Sequence, residues 1–348
     1  MFIYIKKFIK KIISLFHIKI SFFSDDLASP LTKDNISLMN EMNFDLNSFG
    51  ELNKNKFFYV VRRSPGAGLF SNLIFVLNHL ALAKKHGFIP FVDMQNFKTI
   101  YNEKTKLRNT YNSWEYYFGQ TSKYSINEIY KSNKIILTNN KFYKSFTHTI
   151  SDQNTKLFKI AKSSLKINKE FINEASIFVK KNFKGKTLGI HYRGTSYKTS
   201  ANHPFPPTKK QLLKYCNKII VKNNFSTIFL STEDKNIFDF LKKKLGSKLC
   251  YINNSYRSFK DDAFKVYPRN LHRYKLGKEI LIESLILSKC DSFICQESNV
   301  SEFIKFLDQN RKIKFYYFNN GFNSSNEYVA KWLWYYKNIM PKFLGGFE

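Results

Sequence analysis

Residues 186–198 read Lys-Thr-Leu-Gly-Ile-His-Tyr-Arg-Gly-Thr-Ser-Tyr-Lys, a short apolar run that ends in His191, Arg193 and Gly194. A run of this length, closed by a glycine-bearing polar turn, predicts a buried strand over 186–191 with polar side chains at its C-terminal end. The pattern repeats downstream. After a proline-rich loop come a helix over 209–222 and a strand over 226–231 that ends in Thr232-Glu233-Asp234. A helix over 235–245 and a strand over 248–252 come next. A helix over 278–290 then leads to a strand over 291–295, followed by Gln296-Glu297-Ser298-Asn299, and a helix over 300–308 to a last strand over 312–318. Alternation of this kind predicts a parallel, doubly wound α/β sheet with ligands bound at the C-terminal ends of its strands.

The upstream half reads as a second α/β unit. A strand over 56–63 is followed by Ser64-Pro-Gly-Ala-Gly-Leu-Phe-Ser71, and an apolar helix over 72–86 stops at Gly87. A strand over 88–94 completes a βαβ unit. Gly66 and Gly68 let the backbone approach a ligand at a helix N-terminus, although their spacing is neither the dinucleotide fingerprint nor the P-loop, and taken alone a plain tight turn is the default reading. Trp114, Tyr116, Tyr117 and Phe118 form an aromatic cluster for which core packing is the default. A strand is expected over 134–138, and residues 155–183 have a lysine-rich helical pattern that connects the halves.

The expected organisation is therefore a helix over 1–23, a linker over 24–55, a first α/β domain over 56–183, a second over 184–325, and a C-terminal helix over 326–348 packing back across the first domain. Residues 1–23 place Lys6, Lys7, Lys10 and Lys11 on one side of a helical wheel and Ile5, Phe8, Ile9, Ile12, Ile13 and Phe16 on the other. Five lysines are too many for a membrane span. The pattern is that of a basic amphipathic helix lying on an anionic membrane surface, and it sets the expected location as cytoplasmic, peripheral on the inner face of the membrane.

Composition narrows the partners. The net charge of +31 comes from 57 Lys and Arg against 26 Asp and Glu. Only 8 of those cations are Arg, and the lysines are scattered rather than interleaved with aromatics, which argues against nucleic acid. The four cysteines form no C-x-x-C pair and no zinc spacing, so reduced, buried thiols are expected and no metal or cofactor is called for.

The candidate site residues gather at strand ends. His191 and Arg193 close one strand, Thr232 and Asp234 the next, and Ser298 and Asn299 open a helix after a later one. A guanidinium presents two parallel N–H donors that a lysine cannot copy, and a helix N-terminus adds amide donors and the positive end of the dipole. Together they predict a metal-free clamp for a diphosphate, the sequence offering no Asp-x-Asp in a strand–loop context.

The order of these motifs resembles the GDP-fucose-dependent fucosyltransferases of the α1,6 and protein-O-fucosyl group. The likeness lies in Gly-Ile-His191-Tyr-Arg193-Gly-Thr, Phe205-Pro-Pro-Thr208 before a helix, Phe229-Leu-Ser-Thr232-Glu-Asp234, and Glu283 ahead of Cys290-Asp-Ser-Phe-Ile-Cys-Gln-Glu-Ser298-Asn299-Val. It covers somewhat over a third of the chain. The resemblance implies a GT-B fold, two Rossmann-like domains facing a cleft, and an inverting, metal-independent glycosyltransferase. By the same resemblance Arg193 holds the donor pyrophosphate, His191 lies against the guanosine, Glu283 reads the guanine base, and Ser298 or Asn299 contacts the phosphates. Gly194 and Ser196 stand where the family carries a second Arg and an Asp. No glutamate base is evident in the loop after Arg193, where Lys198 and His203 are the titratable side chains, and His203 is the expected base. The expected partners are a nucleotide-sugar donor, GDP-fucose first, and a glycan acceptor such as a surface polysaccharide or its lipid-linked precursor. A same-fold transferase with another donor and a non-catalytic binding protein on a degenerate transferase scaffold are the alternatives.

Overall fold

The computed structural model describes residues 32–140, 150–310 and 312–348, so the amphipathic helix expected over 1–23 lies outside the described residues. The chain builds two sheets. The first contains β1 (Leu46–Asn47), β2 (Leu52–Val61), β3 (Ile89–Val92) and β4 (Ser132–Leu137) in the order β1-β4-β2-β3. Its strands are parallel except β1, which pairs antiparallel with β4. Helices α1 (Lys33–Met42) and α2 (Leu69–Lys85) belong to this half, with the short α3 (Ile126–Ile129) before β4.

Residues 33–55 fall in the stretch expected as a linker with one short helix; the helix is α1, and residues 46–47 and 52–55 pair into this sheet as β1 and the start of β2. Thr32 caps α1 by accepting from the Asn35 amide at 3.2 Å, Asn43 closes it in the left-handed region, and Leu38 and Met42 are buried. The edge strand leaves no sequence signal because it holds only two residues. Asp93, at the end of β3, is likewise structural. Its carboxylate accepts from the Gln95 and Asn96 amides and from the Tyr130 hydroxyl at 2.7 Å. Trp114, Tyr116, Tyr117 and Phe118 are buried core.

The second sheet is wholly parallel, with β5 (Thr187–Tyr192), β6 (Thr227–Thr232), β7 (Leu249–Cys250), β8 (Ser292–Cys295) and β9 (Lys314–Tyr317) in the order β7-β6-β5-β8-β9. Counted within this half the order is 3-2-1-4-5, and the crevice between β5 and β8 is its switch point. Every residue of β5 and β6 is buried, as central strands covered on both faces require. Side-chain caps start three of the intervening helices. Thr208 and Gln211 form a capping box for α6 (Lys209–Asn223), Asp234 caps α7 (Lys235–Leu245), and Ser298 caps α9 (Asn299–Leu307).

The connecting segment divides between the halves. Helix α4 (Lys156–Ser164) packs on α2, whereas α5 (Lys169–Asn182) packs on α8 (His272–Leu287) of the second half. One continuous apolar cluster joins the two sheets, with Phe70 of α2 stacked on Phe303 of α9 at 4.4 Å and Tyr117 on Tyr274 of α8 at 5.8 Å. Gly277 sits where α8 crosses the Tyr117 ring, and a Cβ there would overlap its Oη and Cζ and lie 2.9 Å from its Cε1. Gly277→Ala is therefore expected to cost about 2 kcal/mol through overpacking, read as a lower urea midpoint at unchanged slope.

Helix α10 (Glu327–Ile339) departs from expectation. It packs on the second half rather than the first. Its buried Trp334 donates its indole N–H to the Pro206 carbonyl at 2.9 Å, and Lys198 lies over the same ring at 5.1 Å. The Glu348 carboxylate, beyond the helix, accepts from the Thr208 hydroxyl at 3.0 Å and pairs with Lys210. These partners sit on the 198–208 loop and the start of α6, so the polar atoms of the tail rather than its apolar pattern set where it docks. All four cysteines are free. Among the described residues no helix is long and apolar enough to cross a membrane.

Candidate functional site

A cavity of about 370 Å³ opens between the two halves at the C-terminal ends of β5, β6 and β8, with the N-terminus of α2 as its opposite wall. His191, Arg193, His203, Thr232, Glu283, Ser298, Asn299 and Gly68 all line it. Gly66 and Asp234 do not.

Gly66 has φ +77°, and a Cβ there would meet the Asn72 amide at 3.0 Å, so it is glycine for the sake of the turn. Gly68 is different. A Cβ added to it meets nothing within 4 Å, and it precedes α2 without a side-chain cap. Asp234 is spent on structure, accepting from the Ile237 amide at 3.2 Å and pairing with Lys198 at 2.7 Å. That pairing also removes Lys198 from the candidates for a base. Gly194, where the resembled family carries a second Arg, has no room for a side chain, because a Cβ would overlap Tyr192 Cε1 and lie 2.7 Å from Asp234 Oδ2.

Arg193 is held from its backbone and its head is left over. Its amide donates to Gln296 Oε1 at 3.1 Å, tying β5 to the turn after β8 across the switch point. Its Nε is buried without a hydrogen-bond partner within the protein, 3.7 Å from Glu233 Oε1. The guanidinium lies over the Tyr197 ring at 5.3 Å. Burial opposes its charge, but Glu233, Tyr197, Tyr101 and Asp261 offset that and raise its pKa. Beside it α9 begins. Ser298 Oγ accepts from the Ser301 amide at 3.2 Å, which leaves the amides of Asn299 and Val300 as first-turn donors at the cavity wall. A half-buried guanidinium with unused donors next to a helix N-terminus is an anion site.

Glu233 went unremarked in the sequence between Thr232 and Asp234. It is the carboxylate that shapes the Arg193 loop, accepting from the amides of Gly194 at 3.1 Å and Thr195 at 3.4 Å and from Thr195 Oγ1 at 3.2 Å. The available signal was alternation, since Ser231 and Glu233 are two residues apart at one strand end.

The deeper end of the cavity is a polar relay. His191 Nδ1 lies 3.1 Å from Ser231 Oγ, Ser231 Oγ donates to Glu283 Oε2 at 2.6 Å, and Ser255 Oγ donates to Glu283 Oε1 at 2.6 Å. When Glu283 is ionised the Ser231 proton is directed at it, so His191 donates from Nδ1 and Nε2 is left as a bare acceptor. That atom is buried and has no partner within the protein. Burial and the charge of Arg193 push the His191 pKa down to about 3, so the ring is neutral. Burial pushes the Glu283 carboxyl up to about 7 against the pull of Ser231, Ser255 and Arg257. Ser255 lies in the irregular stretch between β7 and α8, where no periodicity marks a residue.

The two shifts have opposite consequences for stability. Glu283 binds its proton more tightly when folded, so its contribution is full below about pH 4.5 and is lost as pH rises through about 7. His191 contributes fully above about pH 6.5 and loses that as pH falls toward about 3. Between them the two slopes oppose each other, and His86 and His272, whose pKa values burial also lowers, add to the His191 side, so the parent's profile does not show the Glu283 contribution by itself. Glu283→Gln isolates one. Relative to that variant, the parent is expected to lose about 3 kcal/mol between pH 4.5 and 8, measured by urea unfolding at each pH. A constant difference across that range would refute the assignment.

His203 stands at the mouth, its ring 4.8 Å from Tyr197. Its Nδ1 lies 2.8 Å from the Ala201 carbonyl, which can only accept, so the neutral ring carries its lone pair on Nε2. Among the described residues no group of three or more His, Cys, Asp or Glu is placed to hold a metal ion.

No protein-family model and no curated protein matches the chain. Solved structures that it is similar to include the NodZ α1,6-fucosyltransferase soaked with GDP-fucose, at 13% identity and TM-score 0.44 over 72% of this chain and 92% of that one. They also include the fucosyltransferase NodZ from Bradyrhizobium, at 12% identity and TM-score 0.44 over 72% and 92%. A third is POFUT1 in complex with GDP-fucose, at 12% identity and TM-score 0.44 over 75% and 98%.

Proposed function

We propose that the chain is an inverting glycosyltransferase of GT-B architecture that takes a GDP-sugar, GDP-fucose first, and glycosylates a hydroxyl of a glycan. The observation that carries this reading is the half-buried Arg193 guanidinium, whose buried Nε has no hydrogen-bond partner within the protein, beside the first turn of α9 at the switch point of a parallel sheet. That is the place and the chemistry for a diphosphate. With Glu283 ionised, one wall of the same cavity offers acceptors, its carboxylate and the bare Nε2 of His191, which suits a base edge rich in N–H groups such as guanine.

In the reaction the anomeric C–O bond to the diphosphate breaks as the acceptor oxygen bonds to the anomeric carbon from the opposite face. Charge grows on the leaving phosphate oxygen. Arg193 and the amides of Asn299 and Val300 stabilise it where it develops, supplying positive charge from the chain itself. The acceptor proton passes to a base at the mouth of the cavity, for which His203 Nε2 is the candidate. Thr232 completes the donor wall, and Gly68, with open space before it, lets the donor or acceptor approach the α2 backbone.

Cytoplasmic placement on the inner face of a membrane, through residues 1–23, suits a surface polysaccharide or lipid-linked oligosaccharide as acceptor. Incubating the full chain with a panel of nucleotide sugars, with hydrolysis and thermal shift as readouts, tests the donor. Stabilisation and turnover confined to GDP-sugars are expected. No response to any GDP-sugar would end this reading, and a response to a uridine sugar alone would replace it with a same-fold transferase of another donor.

A further inference from the structure

Helix α10 presents an unusual outer face. Tyr328 is 79% exposed, Trp332 72% and Ile339 74%, with Tyr335 at 43% and Tyr336 at 47%, and Phe343 just beyond the helix is 85% exposed. At 100° per residue Tyr328, Trp332, Tyr335 and Ile339 fall within about 60° of one another. Ala330 and Trp334, both buried, lie on the opposite side of the helix. The stripe is therefore a continuous outer face and not a frayed core. A contiguous aromatic surface of this kind marks a docking site.

The chemistry of the stripe selects its occupant. Trp and Tyr dominate it, the side chains that settle at the boundary of headgroup and acyl chain. Lys331 is exposed on the same helix and Lys342 just beyond it, while Lys337 is half-buried and donates to the Gly345 carbonyl at 2.9 Å. A protein partner would call for a lysine-poor centre. The segment's acidic side chains do not balance these cations, because Glu348 is engaged by Thr208 and Lys210, leaving Glu327. A chain of net charge +31 adds long-range attraction of the same sign. We infer that the exposed face of α10 lies on an anionic lipid bilayer, inserting Trp332 and its neighbours at headgroup depth with the lysines on the phosphates. This contact is separate from residues 1–23 and does not depend on which sugar the cavity takes. Through Trp334 and the Pro206 carbonyl the same helix braces the loop that carries His203.

Trp332 supplies its own probe. Of the three tryptophans, Trp114 and Trp334 are buried, so Trp332 is the one that solvent and lipid can reach. The full chain is mixed with vesicles of phosphatidylcholine and phosphatidylglycerol whose acyl chains are brominated. Expected is quenching of the emission that disappears in Trp332→Phe, together with a roughly thirtyfold weaker partition in the double variant Lys331→Gln, Lys342→Gln. Co-sedimentation with vesicles but without quenching of Trp332 would show attachment by another surface and overturn the inference. So would absence of binding. Shielding of Trp332 from acrylamide in lipid-free protein would also overturn it, whether by a second copy, detected as a doubled mass in light scattering, or by residues 1–31.

Discussion

Arg193→Ala is expected to weaken GDP binding by about two to four orders of magnitude while leaving the far-ultraviolet circular dichroism unchanged. The magnitude follows from the bonds at stake. Hydrogen bonds to a charged group contribute about 1.5–3 kcal/mol each, and a guanidinium on a diphosphate makes two. The stability of the free protein should change little, because the side chain's Nε has no hydrogen-bond partner within the protein and its place in the loop is fixed by its backbone amide on Gln296. Arg193→Lys should recover only part of the loss, since an ammonium is a point charge that cannot span two phosphate oxygens. Full affinity in the lysine variant would mean that the cavity needs only positive charge and that fork geometry is not in use.

The second large effect concerns Glu233, where two physical contributions oppose each other. Its negative charge beside Arg193 must repel an incoming diphosphate, yet its Oε1 gathers the amides of Gly194 and Thr195 and the Thr195 hydroxyl. The two substitutions that separate these roles should differ in direction. Glu233→Gln keeps an acceptor oxygen and removes the charge, so GDP affinity should stay within about threefold of the parent or improve, the site being partly exposed and screened. Glu233→Ala leaves two amides of the turn without their acceptor. Loop order is lost with it, and transfer efficiency, kcat/KM for the donor, should fall by about a hundredfold. Equal losses in both variants would mean that the charge itself, as a base or a counter-ion, is what matters.

What could be read from the sequence tracks how local the cause was. The second sheet was legible because each strand is a short apolar run closed by polar residues, and β5, β6 and β8 stand where 186–191, 226–231 and 291–295 predicted. Parallel order then brings the ends of those strands together, which is why His191, Arg193, Ser298 and Asn299 line one cavity despite their separation in the chain. Residues whose role depends on a neighbour's choice were harder. Asp234 and Glu233 are adjacent carboxylates, and only the capping of α7 decides that the first faces the helix and the second the loop. Ser255 became visible only through its bond to Glu283. The docking of α10 was misjudged because an aromatic helix has apolar side chains enough for several partners, and the Trp334 indole finding the Pro206 carbonyl settles the matter. Residues 33–55 carried too little periodicity for a two-residue edge strand to register.

A diphosphate site built from Arg193 and the first turn of α9 is tested most directly by a crystal structure of the full chain with GDP. Phosphate oxygens are expected within hydrogen-bonding distance of the Arg193 guanidinium and of the Asn299 or Val300 amide, with the base edge toward Glu283 and His191 Nε2. An ordered GDP whose phosphates lie at the Gly68 end of α2, with Arg193 untouched, would contradict that assignment.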